Sequence, residues 1–279
     1  MNTTALSSPQ DGGRSLAAKR RLGAWLNKHC GLHFGDADLD VMGQRLGRVV
    51  EQFGLMTLEH LAEEMEGGRN DEVRAAVIHA ASTNHTYFFR EMDTLNIFRD
   101  RILPSLESQP EIRIWSAAAS TGDEAYTCAM LAAEVMQPSM AADRVKILGT
   151  DISGPVIGVA EAATYRSTNL EYVPQLIKAR YFDADRDGRF RVIDQIRNMC
   201  TFRRMNLKTR PYPFQKKFDI VFCRNVLYYF QPSTQREVLE AIYDVTQPNG
   251  WLLTDVSFTL RDLGLSWSTV ASGVHRKPA

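Results

Sequence analysis

The sequence predicts an α/β protein: a mostly parallel sheet with helices on both faces, preceded by a small all-helical domain and interrupted by an antiparallel β insertion. Three observations predict it. From about residue 100, short apolar runs alternate with segments of helical period, the pattern of a parallel sheet built from strand–helix–strand units. Residues 15–95 carry helical periodicity and no period-two alternation. Between 165 and 203 the alternation breaks around an Asp-Gly turn signal, Asp187–Gly188, flanked by short alternating stretches. The expected boundaries are 15–95 for the helical domain, 96–279 for the α/β domain and about 165–203 for the insertion.

The elements follow in order. Leu16 to Cys30 has apolar residues at helical spacing. Asp38 to Phe53 places Leu39, Met42, Leu46, Val49 and Val50 on one stripe. Thr57 caps a shorter helix to Met65, and Asp71 to Ala81 forms another. The stretch "RILPSLESQPE", with two prolines and polar residues, suits a connection. Strands are expected at Arg113–Ala117, Val145–Thr150, Phe218–Cys223 and, after the turn "QPNG", Trp251–Asp255. Helices are expected at Ala125–Met136, Gly154–Ala162 and Gln235–Val245.

Composition narrows the function. Lys+Arg and Asp+Glu are both 33 in 279 residues, so the chain lacks the basic excess that favours nucleic acid. Cys30, Cys128, Cys200 and Cys223 form no CxxC pair and have no histidine at ligand spacing, so neither a metal site nor a disulfide framework is expected. No apolar run reaches the ~18 residues of a membrane span. The opening "MNTTALSSPQDGG" has no signal-peptide order and reads as a flexible tail of a cytoplasmic protein.

The chemistry starts at "IRIWSAAASTGDEAYTCAML", Ile112 to Leu131, a strand, a small-residue turn and a helix. A pyrophosphate cofactor wants several glycines and bare helix N–H groups there. This turn offers only Gly122, followed by Asp123 and Glu124, which disfavours NAD and ATP. S-adenosylmethionine fits better: it has no phosphate, and its methionine end carries an ammonium that a carboxylate can accept. Gly122 would let the backbone approach it closely. The alternative for both acids is a favourable seat on the helix dipole. Asp151, at the tip of "ILGTDIS" and 29 residues beyond Gly122, sits where ribose hydroxyls are held; the alternative is an N-cap, which Ser153 could equally supply. Arg224, Asn225 and Tyr229 follow the buried strand of "FDIVFCRNVLYYF" at the mouth of the sheet.

"TNHTYFFRE", "WSAAASTGDEAY", "GTDIS", "MNL" and "FDIVFCRNVLYYF" occur in this order from Thr83 to Phe230. In these phrases the chain resembles the CheR family, glutamate O-methyltransferases of chemotaxis receptors, over about residues 15–279. The resemblance implies a Rossmann-like class I methyltransferase domain that uses S-adenosylmethionine, releases S-adenosylhomocysteine and needs no metal. It assigns cofactor contacts to Asn84, Thr86, Arg90, Glu124, Asp151, Asn206, Leu207, Arg224 and Asn225, beside Gly122 from the turn itself. Glu124 would take the methionine ammonium, Asp151 the ribose, and Asn206 with Leu207 the adenine. Arg90 would orient the acceptor carboxylate, against the alternative of an ion pair with Glu91 or Asp93, and Tyr229 would pack at the methyl-transfer end, against the alternative of a core aromatic.

It also implies partners. Arg45 and Arg48, one turn apart and opposite the apolar stripe of their helix, would meet the cytoplasmic helices of a methyl-accepting chemoreceptor; the alternative is a solvated face. The chain departs from the family in "TDVSFTL" near Thr254, which puts the role of that loop in question, and in its short flap "FDADRDGRF", which suggests receptor binding without a C-terminal pentapeptide. No nucleic-acid partner, no membrane insertion and a monomer are expected. Two other functions compete: a methyltransferase on another substrate, and a non-catalytic S-adenosylmethionine-binding adaptor.

Overall fold

Four amphipathic helices open the computed structural model, which describes residues 9–68, 70–83, 85–260 and 263–279. They are α1 (Pro9–Cys30), α2 (Leu39–Gln52), α3 (Leu58–Gly67) and α4 (Asp71–Ala81). The stripe read from α2 is its buried face: Leu39, Met42, Leu46, Val49 and Val50. It packs with Leu22 and Leu26 of α1 and Leu61 of α3, all without exposed surface. Caps set the ends. Thr57 Oγ1 accepts from His60 N–H, Asn70 Oδ1 accepts from Glu72 and Val73 N–H, and α3 stops at left-handed Gly68. The helix α1 starts at Pro9, inside the segment expected to be a flexible tail. Glycines oppose helix one by one, but adding a residue to a formed helix needs no new nucleus.

The second unit begins with α5 (Met92–Ile97), a π-helical turn at Phe98–Ile102 and α6 (Leu103–Ser105). The expected connection is therefore helical at its start, because Phe98, Ile102 and Leu103 are buried anchors. Then come β1 (Ile112–Ala117), α7 (Asp123–Met136), α8 (Pro138–Arg144), β2 (Val145–Asp151) and α9 (Gly154–Ala162). The insertion holds β3 (Thr164–Arg166), α10 (Gln175–Tyr181), β4 (Phe182–Ala184), β5 (Arg189–Val192) and α11 (Asp194–Arg197). The chain closes with β6 (Cys200–Arg204), β7 (Phe218–Phe222), α12 (Pro232–Val245), β8 (Thr246–Leu253), β9 (Ser268–Ala271) and β10 (Val274–Arg276).

The main sheet runs β6-β2-β1-β7-β8-β10-β9. Its first five strands are parallel, and β10 pairs antiparallel with β8 and β9. The expected mostly parallel sheet is present, and so is the antiparallel insertion, with strand order β3-β5-β4 around the Asp187–Gly188 turn. Three details differ. β6 was expected inside the insertion but is the parallel edge of the main sheet, in register with Ile147–Asp151; only Phe202 of β6 is buried, so it alternates like a flap strand. The run "QPNG" lies within β8, with Asn249 at φ 62° and a register shift against β7. The short strands β9 and β10 carry no strong period and were not expected.

By its contacts the chain divides into Met1–Thr83 with Tyr229–Gln231, and Asn84–Tyr228 with Pro232–Ala279. The helical unit thus ends at Thr83 rather than 95. It also gains Tyr229–Gln231, through a bridge between Leu32 and Phe230 and a His33 N–H to Tyr229 C=O bond of 2.8 Å. No helix of the described residues is long and apolar enough to cross a membrane.

Candidate active site

In an open α/β sheet, ligands bind beyond the carboxyl ends of the parallel strands. Here the turn after β1 is conformationally costly. Ala118 (φ 64°), Ser120 (φ 49°) and Gly122 (φ 88°) are all left-handed, which for the two non-glycines costs about 1–3 kcal/mol each. The surroundings hold the turn: Ala119 N–H donates to Thr150 C=O at 2.8 Å and Ser120 N–H to Asp151 Oδ2 at 2.9 Å. Trp115 anchors β1 to the tip of β2 through Nε1–H to Thr150 Oγ1.

Gly122 has a packing role as well. A Cβ there would lie 2.9 Å from Ala160 Cβ and 3.1 Å from Phe202 Cζ, so its bare face packs on α9 and β6. Asp151 serves the start of the following helix, the alternative weighed for it, and the β1 turn as well. Its Oδ1 accepts from Ser153 N–H at 2.9 Å, so one carboxylate fixes both the β1 turn and the start of α9. Met205 N–H donates to Asp151 C=O at 2.8 Å, bringing Asn206 and Leu207 to the same strand tip. Asn206 Oδ1 accepts from Lys208 N–H, and the Leu207 carbonyl accepts from Tyr212 O–H.

The second half of the site is an ionic cluster. Arg224, whose side chain is 2 % exposed, pairs with Glu124 Oε2 at 3.2 Å and Glu91 Oε2 at 3.1 Å, and donates to the Arg90 carbonyl at 2.6 Å. Ser116 O–H donates to Glu124 Oε1 at 2.7 Å. Asn225, left-handed at φ 57°, donates from both N and Nδ2 to Asp255 Oδ1, and from Nδ2 to Glu91 Oε1. Burial pushes the Glu124 and Asp255 carboxyls up. Burial acts the same way on Glu91, but the Asn225 hydrogen bond and the Arg224 charge outweigh it and hold that carboxyl below its usual range.

Of the residues expected at the site, Glu124, Arg224 and Asn225 come together here, and Arg90 joins them through its backbone carbonyl. The Arg90 guanidinium donates to His85 C=O at 3.2 Å and lies 3.7 Å from Glu91. Thr86 is half-buried. Asn84 lies outside the described residues. Tyr229 counts with the helical unit. Arg45 and Arg48 sit on α2, where Arg45 donates to Ala81 C=O and Thr83 Oγ1 and Arg48 is exposed. Sequence reading missed Ser116 and Asp255 and gave Glu91 only a pairing with Arg90. A signal existed for Asp255: it follows the buried run of β8 as Asp151 follows that of β2.

Three carboxylates gather here: Glu91 and Glu124 pair with the buried Arg224, and Asp255 accepts from Asn225, while the partly exposed Arg90 adds a second positive charge. Asp255 Oδ2 is buried without a hydrogen-bond partner. An excess of buried negative charge fits a cationic ligand and opposes a polyphosphate. S-adenosylmethionine, with its ammonium and sulfonium, meets that requirement.

The sheet order and this acid-rich strand-tip site define a Rossmann-like class I methyltransferase that uses S-adenosylmethionine. Residues 84–265 match the family profile described as CheR methyltransferase, SAM binding domain. The chain is 35 % identical over 249 residues to a chemotaxis protein methyltransferase of Vibrio anguillarum, covering 88 % of this chain and 90 % of that one. It is 32 % identical to that of Borreliella burgdorferi (83 % and 84 % covered) and 31 % identical to that of Escherichia coli (84 % and 81 %). The chain belongs to the CheR methyltransferase family.

Proposed function

We propose that the protein acts in the cytoplasm, transferring a methyl group to glutamate side chains of chemoreceptors and forming glutamyl methyl esters. The observation that carries this is the acid-rich strand-tip site in a chain that matches chemotaxis protein methyltransferases over most of its length. When bound, S-adenosylmethionine supplies an electrophilic methyl on a sulfonium.

The acceptor needs no base, since a glutamate with pKa ~4.3 is ionised at neutral pH. What the protein must supply is alignment, which can be worth roughly 7–11 kcal/mol of barrier. In this reading Asp151 accepts the ribose hydroxyls, Asn206 and Leu207 border the adenine, and Glu124 with Asn225 faces the ammonium. Arg90, whose fork suits a carboxylate, turns the acceptor toward the methyl, and Tyr229 packs at that end. Arg45 and Arg48 meet the acidic receptor helix without a pentapeptide tether. Arg48, exposed and on the polar face of α2, is the cleaner probe of the two.

Receptor-rich membranes incubated with methyl-labelled S-adenosylmethionine test the proposal. The expected result is label that mild base releases as methanol. Base-stable label, or none with a cofactor-binding enzyme, overturns it. Arg48→Glu should slow labelling while leaving cofactor affinity unchanged in a calorimetric titration.

A further inference from the structure

Asn225 has one carboxamide, and the structure spends all of its donors. Its Nδ2 carries two hydrogens, one directed to Glu91 Oε1 at 2.9 Å and one to Asp255 Oδ1 at 2.6 Å. Both acceptors are carboxylates, so the amide cannot be flipped without setting oxygen against oxygen. The backbone N–H is also taken, again by Asp255 Oδ1, at 2.8 Å. That bond holds Asn225 in its left-handed conformation, which asparagine tolerates better than most residues. Only the carboxamide oxygen is left to present to a ligand.

Asp255 is well placed to impose this. It is 6 % exposed and immediately follows Thr254, whose N–H donates to Gly273 C=O at 2.9 Å. A Cβ on Gly273 would stand 2.8 Å from Thr254 O and 3.2 Å from the Asp255 carbonyl carbon. The β9–β10 hairpin therefore presses directly on the backbone that carries Asp255. This acid lies in "TDVSFTL" and is not among the residues that the family resemblance assigned to the site.

We infer that Asp255 is a positioning residue of the cofactor site, which locks the Asn225 carboxamide so that it meets the ammonium of S-adenosylmethionine as an acceptor only. This rests on the reading of Asn225 as an ammonium contact. Its consequence is a split between ligands. S-adenosylhomocysteine carries the amino-acid end, whereas 5′-methylthioadenosine has the same adenosine and thioether without it.

The experiment is calorimetric titration of both ligands into wild-type, Asp255→Ala and Asp255→Asn protein. Asp255→Ala should weaken S-adenosylhomocysteine at least roughly tenfold, the scale of a lost charge-assisted contact, and leave methylthioadenosine within about twofold. Asp255→Asn keeps an acceptor oxygen for both Asn225 donors and should restore binding. Equal weakening of both ligands would assign Asp255 to general architecture, and no weakening of either would also overturn the inference. If Asp255→Ala fails to fold, Asp255→Asn decides: near-wild-type affinity for S-adenosylhomocysteine supports the lock, and a tenfold loss refutes it. Failure of wild-type protein to bind either ligand would instead remove the cofactor-site reading beneath it.

Discussion

Arg21 in the helical unit and Arg224 in the α/β unit both hold glutamates, and the exposed pair has the better geometry. Arg21 makes a two-point fork to Glu66, at 2.9 and 2.6 Å, with side chains 39 % and 49 % exposed. Arg224 makes single contacts at 3.1 and 3.2 Å to two different carboxylates, with its side chain 2 % exposed. Distance alone would rank Arg21 first. Burial reverses the order, because water can replace Arg21 at Glu66 but cannot reach the Arg224 guanidinium, and its partners Glu91 and Glu124 are only 27 % and 17 % exposed. The strong ionic network of this protein is therefore the one in the candidate active site, where it also has to leave room for a cation.

Breaking that network should give the largest effect. Arg224→Met leaves the partly buried Glu91 and Glu124 without their counter-ion, and should cost about 3 kcal/mol in a urea titration, the low end for a broken buried pair. It should also abolish S-adenosylhomocysteine binding. A loss no greater than that of Arg21→Gln would break the comparison. Arg224→Lys, with a point charge in place of a fork, should fall between the two.

Asp123 sharpens the same point with a buried acid that makes no ion pair among the described residues. It has no exposed surface and accepts a hydrogen bond from Thr121 O–H. Burial raises its pKa from 3.8 to about 6, more than the Thr121 bond lowers it. The native state therefore holds this proton in a range where the unfolded chain has lost it. The sign follows: the contribution is fully present below pH ~4 and is lost as pH rises through about 6, in total about 3 kcal/mol. Denaturation of wild type and Asp123→Asn across that window should show wild type losing stability relative to the variant by this amount. Parallel pH curves would show that the carboxyl is not the group titrating.

The glycine turn gives a smaller effect of packing rather than charge. Gly122→Ala combines a left-handed φ with a Cβ 2.9 Å from Ala160, and should cost about 1–3 kcal/mol. Because the strain falls on α9 and β6, most of the loss should appear in stability, with cofactor affinity changed less.

Much of this was legible in the sequence because the signals were local. The α2 stripe, the cap of α3, the four central strands and the residues at their tips follow from period and from polar groups ending apolar runs. What was not legible depends on pairing across the chain. Cys200–Arg204 is an edge strand only because β2 lies beside it, and its single buried Phe202 does not distinguish that from a flap. Asp255 stands 30 residues from Asn225 and Glu91 stands 133 from Arg224; nothing near either residue shows the partner. Gly122 was legible as the one glycine of its turn, while its close neighbours, Ala160 and Phe202, come from α9 and β6 and were not.

The smallest effect tests the other side of the comparison. Arg21 holds the Glu66 carboxyl below its usual range, first through their hydrogen bond, a direction that on its own promises pH-dependent stability from this pair. The promised direction is a contribution present above the ordinary carboxyl range and lost as pH falls. Both side chains face water, however, and ordering two long side chains offsets what a screened Coulomb attraction supplies. Glu66→Gln should therefore leave the urea midpoint at neutral pH unmoved at high salt, with at most a small decrease at low salt. A drop as large at high salt as at low salt would mean that Glu66 is shielded from solvent in a way its exposure denies, and the division between the two arginines would then rest on something other than burial.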